Sequence, residues 1–153
     1  MTNNNNQAQA QEQQQQQRVG QTKINKIWET LDDSKNPESV IYAPKQNILF
    51  VSNVDGKPDQ KDQNGFISTV SPSNGSIVEL NWITGLNAPK GMAVNNNNNN
   101  SRLYVSDITD LVEIDIASGK IIKRFNAPGS AFLNDVALDN QGNIYVSDTI
   151  TIL

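Results

Sequence analysis

The sequence predicts an all-β chain made of a repeated four-stranded antiparallel unit behind a polar tail. Two observations predict it. A phrase of aliphatic, aromatic, Val, Ser and Asn or Asp recurs as Leu49-Phe50-Val51-Ser52-Asn53, Leu103-Tyr104-Val105-Ser106-Asp107 and Ile144-Tyr145-Val146-Ser147-Asp148. Its β-branched and aromatic content, bounded by polar turn residues, marks a buried strand. Each copy also follows a second short apolar run across a polar turn, the pattern of an antiparallel hairpin.

In chain order, residues 1–22 come first, rich in Asn and Gln. Such a tract buries too little apolar surface to offset the entropy of ordering it, so it reads as a disordered tail. Ile24, Ile27, Trp28 and Leu31 have the spacing of an amphipathic helix turn. Their β-branched content and the following Asp32-Asp33-Ser34 turn fit an outer strand as well; the family resemblance given below implies a strand that closes the ring, and that is the expectation.

The first unit, residues 38–83, opens with Val40-Ile41-Tyr42 and turns at Pro44-Lys45-Gln46-Asn47 into the phrase. Phe66-Ile67-Ser68-Thr69-Val70 and Ser76-Ile77-Val78-Glu79-Leu80-Asn81-Trp82 follow, joined at Ser73-Asn74-Gly75. The second unit, residues 90–126, repeats this order. Met92-Ala93-Val94 precedes a run of six Asn at a hairpin tip, where extra polar residues are tolerated. Leu111-Val112-Glu113-Ile114-Asp115-Ile116 alternates as a half-buried strand does, and Lys120-Ile121-Ile122-Lys123-Arg124-Phe125 returns after Ser118-Gly119. A third unit begins within 134–153, with Val136-Ala137-Leu138, the turn at Asp139-Asn140-Gln141-Gly142, and the phrase.

Four antiparallel strands per unit of about 40–45 residues is the signature of a β-propeller blade. A β-sandwich also has evenly spaced strands but would not repeat one phrase at one place in each unit. The expected fold is therefore an incomplete β-propeller occupying 23–153: a closing strand, two blades and the start of a third, about two and a half blades. Incomplete propellers leave apolar edges unpaired, and repeats rely on neighbours for their core. The expectation is a fragment of low stability on its own and without catalytic competence.

Composition narrows the chemistry. The formal net charge is −4 with Lys and Arg scattered, so the basic stripe that nucleic acid requires is missing. No apolar run approaches the ~18 residues of a membrane span, and the first residues lack the apolar core of a secretory signal, so a cytoplasmic location is expected. With no Cys and no His in the chain, disulfides, thiolates, Cys/His zinc sites and Ser-His or Cys-His nucleophile pairs are excluded. Carboxylates, carboxamides, Lys and hydroxyls remain, an inventory suited to a hard, oxygen-preferring cation.

Pro37-Glu38-Ser39-Val40, Gly85-Leu86-Asn87-Ala88-Pro89-Lys90-Gly91-Met92 and Leu133-Asn134-Asp135-Val136 resemble words of the SMP-30/gluconolactonase/LRE-like propellers, with an NHL-repeat flavour in the second unit. The resemblance spans roughly residues 27–149 and implies a six-bladed, TolB-like propeller. Aligning the units places Glu38, Lys90 and Asn134 immediately before an innermost strand, at one mouth of a central channel. The resemblance implies that Glu38 and Asn134 ligate Ca²⁺ or another divalent cation, which polarises a lactone or ester carbonyl and activates water. The family's further ligand, an Asp of a later blade, is expected beyond Leu153. Lys90 departs from the ligand set. Its charge opposes a nearby cation unless it pairs with Glu38 or contacts an anionic substrate, so it is assigned to substrate binding.

Other polar residues read as structural. Asp107 and Asp148 are expected to bond nearby backbone amides in turns. The stretch from Asp55-Gly56 to Asp62-Gln63-Asn64-Gly65 lacks the alternating carboxylates and closing Glu of an EF-hand and reads as a long polar hairpin. Trp82 and Phe125 are expected to pack between blades. Three functions follow: part of a cation-dependent hydrolase of small-molecule lactones or esters, an NHL-like module that presents loops to a protein partner, or an inactive fragment.

Overall fold

The computed structural model describes residues 24–30, 34–96 and 100–151; the polar tail of residues 1–22 and Leu31 lie outside them. Alternating apolar residues separated by polar turns produce ten strands and no helix among the described residues. The first sheet has the order β1 (Pro37–Ala43), β2 (Ile48–Asn53), β3 (Gly65–Val70) and β4 (Ile77–Leu86). The second repeats it with β5 (Pro89–Asn95), β6 (Arg102–Asp107), β7 (Asp110–Asp115) and β8 (Lys120–Asn126). The third has two strands, β9 (Leu133–Leu138) and β10 (Ile144–Asp148). All pairings are antiparallel. The all-β expectation therefore holds, and each of the first two units is a separate four-stranded sheet; among the described residues the sheets do not close on one another. Among the described residues no helix is long and apolar enough to cross a membrane.

Strand β7 illustrates how pattern becomes packing. Val112 and Ile114 are fully buried, while Glu113 and Asp115 turn to the other face. There both meet Arg102 of β6, whose Nε lies 3.3 Å from Glu113 Oε1 and whose Nη1 pairs with Asp115. The buried residues join one core shared by the first two sheets. Ala43, Phe50, Ile67, Ile83 and Leu86 come from the first, and Met92, Leu103, Val105, Val112 and Ile114 from the second. Trp82 of β4 packs its ring on Phe50, with centroids 4.6 Å apart. Phe125 fares differently from expectation: it is 37 % exposed and lies under the Lys123 ammonium, 4.4 Å from it.

The long connection from β2 to β3 is a polar hairpin loop, as its composition implies. Residues 24–30, by contrast, form neither helix nor strand. No strand pairs with them among the described residues, and Ile24 and Ile27 remain exposed.

The three hairpins β1–β2, β5–β6 and β9–β10 share one register. Pro37 pairs with Asn53, Pro89 with Asp107 and Leu133 with Asp148. After each of these pairs the register slips. Such a bulge leaves an extra residue and re-aims its side chain. Beyond it, Val40–Val51, Met92–Val105 and Val136–Val146 resume equivalent pairing.

The first strands of the sheets lie side by side, and Gly91 sets the closeness of β5 to β9. A Cβ built on Gly91 would stand 2.5 Å from Asn134 O and 2.6 Å from Asp135 Cα. Both are backbone atoms that cannot swing aside. Gly91→Ala is therefore expected to lose about 1–3 kcal/mol through overpacking. Urea denaturation checks this as a lowered midpoint at unchanged slope.

Candidate functional site

Glu38, Lys90 and Asn134 each occupy the second place of their strand, at the bulge. The sequence expectation put them just ahead of the strands; the structure places them inside, because pairing begins one residue earlier at Pro37, Pro89 and Leu133.

The recurring phrase builds this position. Its serine bonds to the backbone of the residue after the bulge position. Ser39 N donates to Ser52 Oγ at 3.0 Å, and Asp135 N to Ser147 Oγ at 2.9 Å. The Ser106 hydroxyl is directed at Gly91 O, 3.3 Å away, and at Asn134 O of the neighbouring strand. The final Asn or Asp holds the chain leading into the first strand. Asn53 Oδ1 accepts from Lys35 N at 3.2 Å. Asp107 accepts from Asn87 N at 2.9 Å and Ala88 N at 2.8 Å, and Asp148 from Ala131 N at 2.7 Å and Phe132 N at 3.2 Å. These carboxylates do bond backbone amides, but the amides are distant in sequence, across the hairpin. Asp148 also accepts from its own turn, from Ile150 N and Thr151 N.

Asp107 is 1 % exposed and carries a second duty, an ion pair with Arg124 Nη1 at 3.2 Å. Arg124 Nη2 donates to Gly85 O at 2.8 Å, so β8 of the second sheet is tied to the end of β4 of the first.

Lys90, expected beside a substrate, is 2 % exposed. Its ammonium donates to Pro58 O and Ala88 O, both at 2.9 Å, and stands 4.2 Å from the Phe132 ring centroid. Three segments thus meet at one cation: the β2–β3 loop, the entrance to β5 and the entrance to β9. Burial lowers the Lys90 pKa below 10.5, although the charges of Asp107, Glu38 and Asp59 oppose the shift. The desolvation penalty therefore outweighs the favourable charges around it.

Glu38 is shifted the other way. Glu38 is exposed at the surface, yet the partial loss of water around its carboxyl raises its pKa above 4.5; Lys90 opposes this and Asp135 adds to it. Glu38 and Lys90 sense each other's charge, yet no ion pair forms between them among the described residues. The side chain of Asn134 makes no hydrogen bond to the described residues. In the sequence its neighbour Asp135 stands only within the word Leu133-Asn134-Asp135-Val136, with no role assigned to it. Across β5, its charge reaches Glu38 and adds to the upward shift there.

Hard oxygen donors are thus present in kind: a carboxylate on β1, and a carboxamide and a carboxylate on β9. They are short in number. Among the described residues no three acidic side chains gather into a group that could hold a metal ion. Comparison with protein-family models finds no family that matches the chain, and none of the curated proteins matches it.

Two pH effects follow. The folded Lys90 pKa lies below its unfolded value, so the folded chain binds fewer protons in the window between them. Stability should rise with pH through that window up to 10.5. The difference in melting temperature between wild type and Lys90→Met should therefore shift in favour of wild type from neutral pH to 10.5. A constant difference would refute the burial argument. Asp148 gives the same sign in the acid range, for the opposite reason: its charged form is favoured by folding, where that of Lys90 is disfavoured. Its pKa is lowered to about 2, chiefly by the Thr151 amide and, against a burial penalty, by those of Ala131, Ile150 and Phe132. Its stabilising contribution is present above 3.8 and lost as pH falls to about 2. Asp148→Asn should be less stable at neutral pH and should lose less than wild type across that acid window.

Proposed function

We propose that the sheets are blades of a β-propeller of the SMP-30/gluconolactonase/LRE-like type. In this reading Glu38 and Asn134 belong to a site for Ca²⁺ or a similar divalent cation that serves hydrolysis of a lactone or ester. One observation carries it: three hairpins with one register put Glu38, Lys90 and Asn134 at the same bulge on neighbouring strands. Side chains of unlike chemistry are thereby brought to one end of the inner strands by the backbone frame.

The donor chemistry agrees with such an ion. Ca²⁺ takes about six to eight oxygens, carboxylates and carboxamides included. Glu38, Asn134 and Asp135 supply part of that number, and the reading requires the rest from further strands or water. When bound, the ion supplies Lewis acidity toward a carbonyl and lowers the pKa of water. A cation would also favour the ionised form of Glu38, reversing the upward shift that burial imposes.

Lys90 has a supporting place in this arrangement. Its charge favours Glu38 as a carboxylate, and its bond to Pro58 O fixes the β2–β3 loop near the site. The same residue favours the competing reading, an NHL-like module that binds a protein partner. One of the three equivalent positions is spent on a lysine whose ammonium is already engaged by the protein.

Calcium titration followed by melting temperature separates the two. A ligand present at ~100 times its Kd stabilises the folded state by about 2.7 kcal/mol. The hydrolase reading expects an upward shift with millimolar Ca²⁺ that is lost in Glu38→Gln and Asn134→Ala. A melting temperature unmoved by calcium would sink the cation site and leave the binding module.

A further inference from the structure

The β2–β3 loop, residues 54–64, leaves the first sheet and reaches the second, where two ammonium groups hold it. Lys90 Nζ donates to Pro58 O at 2.9 Å, and the loop's own Lys61 donates to Thr109 Oγ1 of the β6–β7 turn at 2.8 Å. The other contacts of the buried Lys90 ammonium, Ala88 O and the Phe132 ring, belong to the entrances of β5 and β9. The fold does not require a loop of this length. In the second sheet Asp107 pairs with Asp110, so Ile108 and Thr109 alone join β6 to β7.

The loop is anchored at its ends. Val54 is buried and its amide donates to Asn36 O, Asp55 N donates to Lys35 O, and Gly65 is buried at the start of β3. Between the ends, residues 56–64 are exposed apart from the half-buried Asp62. From Lys57 to Asn64, the two ammonium bonds are the hydrogen bonds that leave the loop among the described residues. The others stay inside it, Gln60 N to Lys57 O at 3.2 Å and Asn64 N to Asp62 Oδ1 at 3.1 Å. A segment with exposed backbone, few polar bonds and little apolar burial opens at lower free energy than the sheets around it. Strain at its flanks acts in the same direction. Asp55 and Gln63 hold φ of 43° and 62°, a region that L-residues avoid and that opening can relieve.

We propose that residues 54–64 form a strap that opens as one unit while the sheets stay folded, and that its opening uncovers the Lys90 ammonium. Closed, that ammonium is capped by the neutral carbonyl of Pro58. Open, it keeps Ala88 O and Phe132 and has a donor free for an anion, which it binds more strongly than a carbonyl because both partners are charged. The strap thus controls access to the cationic member of the three equivalent bulge positions. An anionic substrate at Lys90 rests on the hydrolase reading; the strap does not, because neither Glu38 nor Asn134 takes part in it.

The test uses the full chain without added cation, so a failed cation site cannot mimic its outcome. Lys90 is labelled with acetic anhydride at neutral pH, in urea concentrations below the unfolding transition, and the labelled peptide is quantified by mass spectrometry. Amide exchange at Val105 and Val112, both fully buried, reports global unfolding under the same conditions. Strap opening expects labelling that is nearly independent of urea and far faster than the exchange of those amides. Thr109→Val removes the acceptor of Lys61 without touching Lys90, and should raise the labelling rate about 5–10-fold with amide exchange unchanged. Lys61→Met should do the same. Labelling that rises with urea in step with amide exchange, or that neither variant accelerates, overturns the proposal.

Discussion

The structure depends on how the second strand of each hairpin holds the entrance to the first. The residue that ends the recurring phrase, Asn53, Asp107 or Asp148, accepts hydrogen bonds from the chain just ahead of β1, β5 or β9. A buried carboxylate is costly unless its oxygens are satisfied. Asp107, which is buried, meets that condition with two backbone amides and Arg124; the half-buried Asp148 accepts from four backbone amides. The serine one place earlier bonds the backbone just past the bulge. Two small polar residues at the end of one strand thus fix where its partner begins, where it bulges and which residue the bulge presents.

Electrostatics at the bulge follow from burial more than from pairing. Lys90 and Glu38 are oppositely charged and near each other, yet each is pushed toward its neutral form by loss of water. Their mutual attraction works against both shifts and does not cancel them. The ammonium is held by two carbonyls and an aromatic face instead of a carboxylate. This keeps its charge at the junction of three segments and leaves the Glu38 carboxylate unclaimed by it. A cation–π contact in a desolvated place is worth ~2 kcal/mol, and bonds from a charged donor about 1.5–3 kcal/mol each. Together they are comparable to the several kcal/mol that burying one charge costs.

The strand pattern was legible in the sequence because burial on one face imposes alternation, as along Val112 to Ile116, and because each hairpin carries its own turn residues. The bulge was not. It shifts pairing by a residue without any change of residue type, so Glu38, Lys90 and Asn134 read as lying ahead of strands they belong to. The burial of Lys90 was also hidden, since its partners Pro58 and Phe132 lie on other units and offer a carbonyl and a ring instead of an opposite charge. Asp135 escaped notice for a related reason: its proximity to Glu38 arises only when β1, β5 and β9 are set side by side. Residues 24–30 fit two periodicities equally, and no pairing partner among the described residues brings them into a strand.

The division between frame and presented residue explains why architecture is easier to read here than chemistry. Ser and Asn or Asp recur because they hold the entrances: without Asp107 the buried Ala88 amide would lack its acceptor, and the entrances to β1 and β9 would lose the bonds that Asn53 and Asp148 accept. The second residue of the inner strand carries no such duty. Glu38 bonds nothing in the frame, Asn134 contributes only its backbone carbonyl, and Lys90 bonds a loop that the other two sheets do not have in equivalent form. Repetition constrains the positions that fold the chain and leaves this one free to vary. A carboxylate, an ammonium and a carboxamide can therefore occupy one backbone geometry, and in the proposed reading their combination, not the repeat, sets what that end of the strands binds.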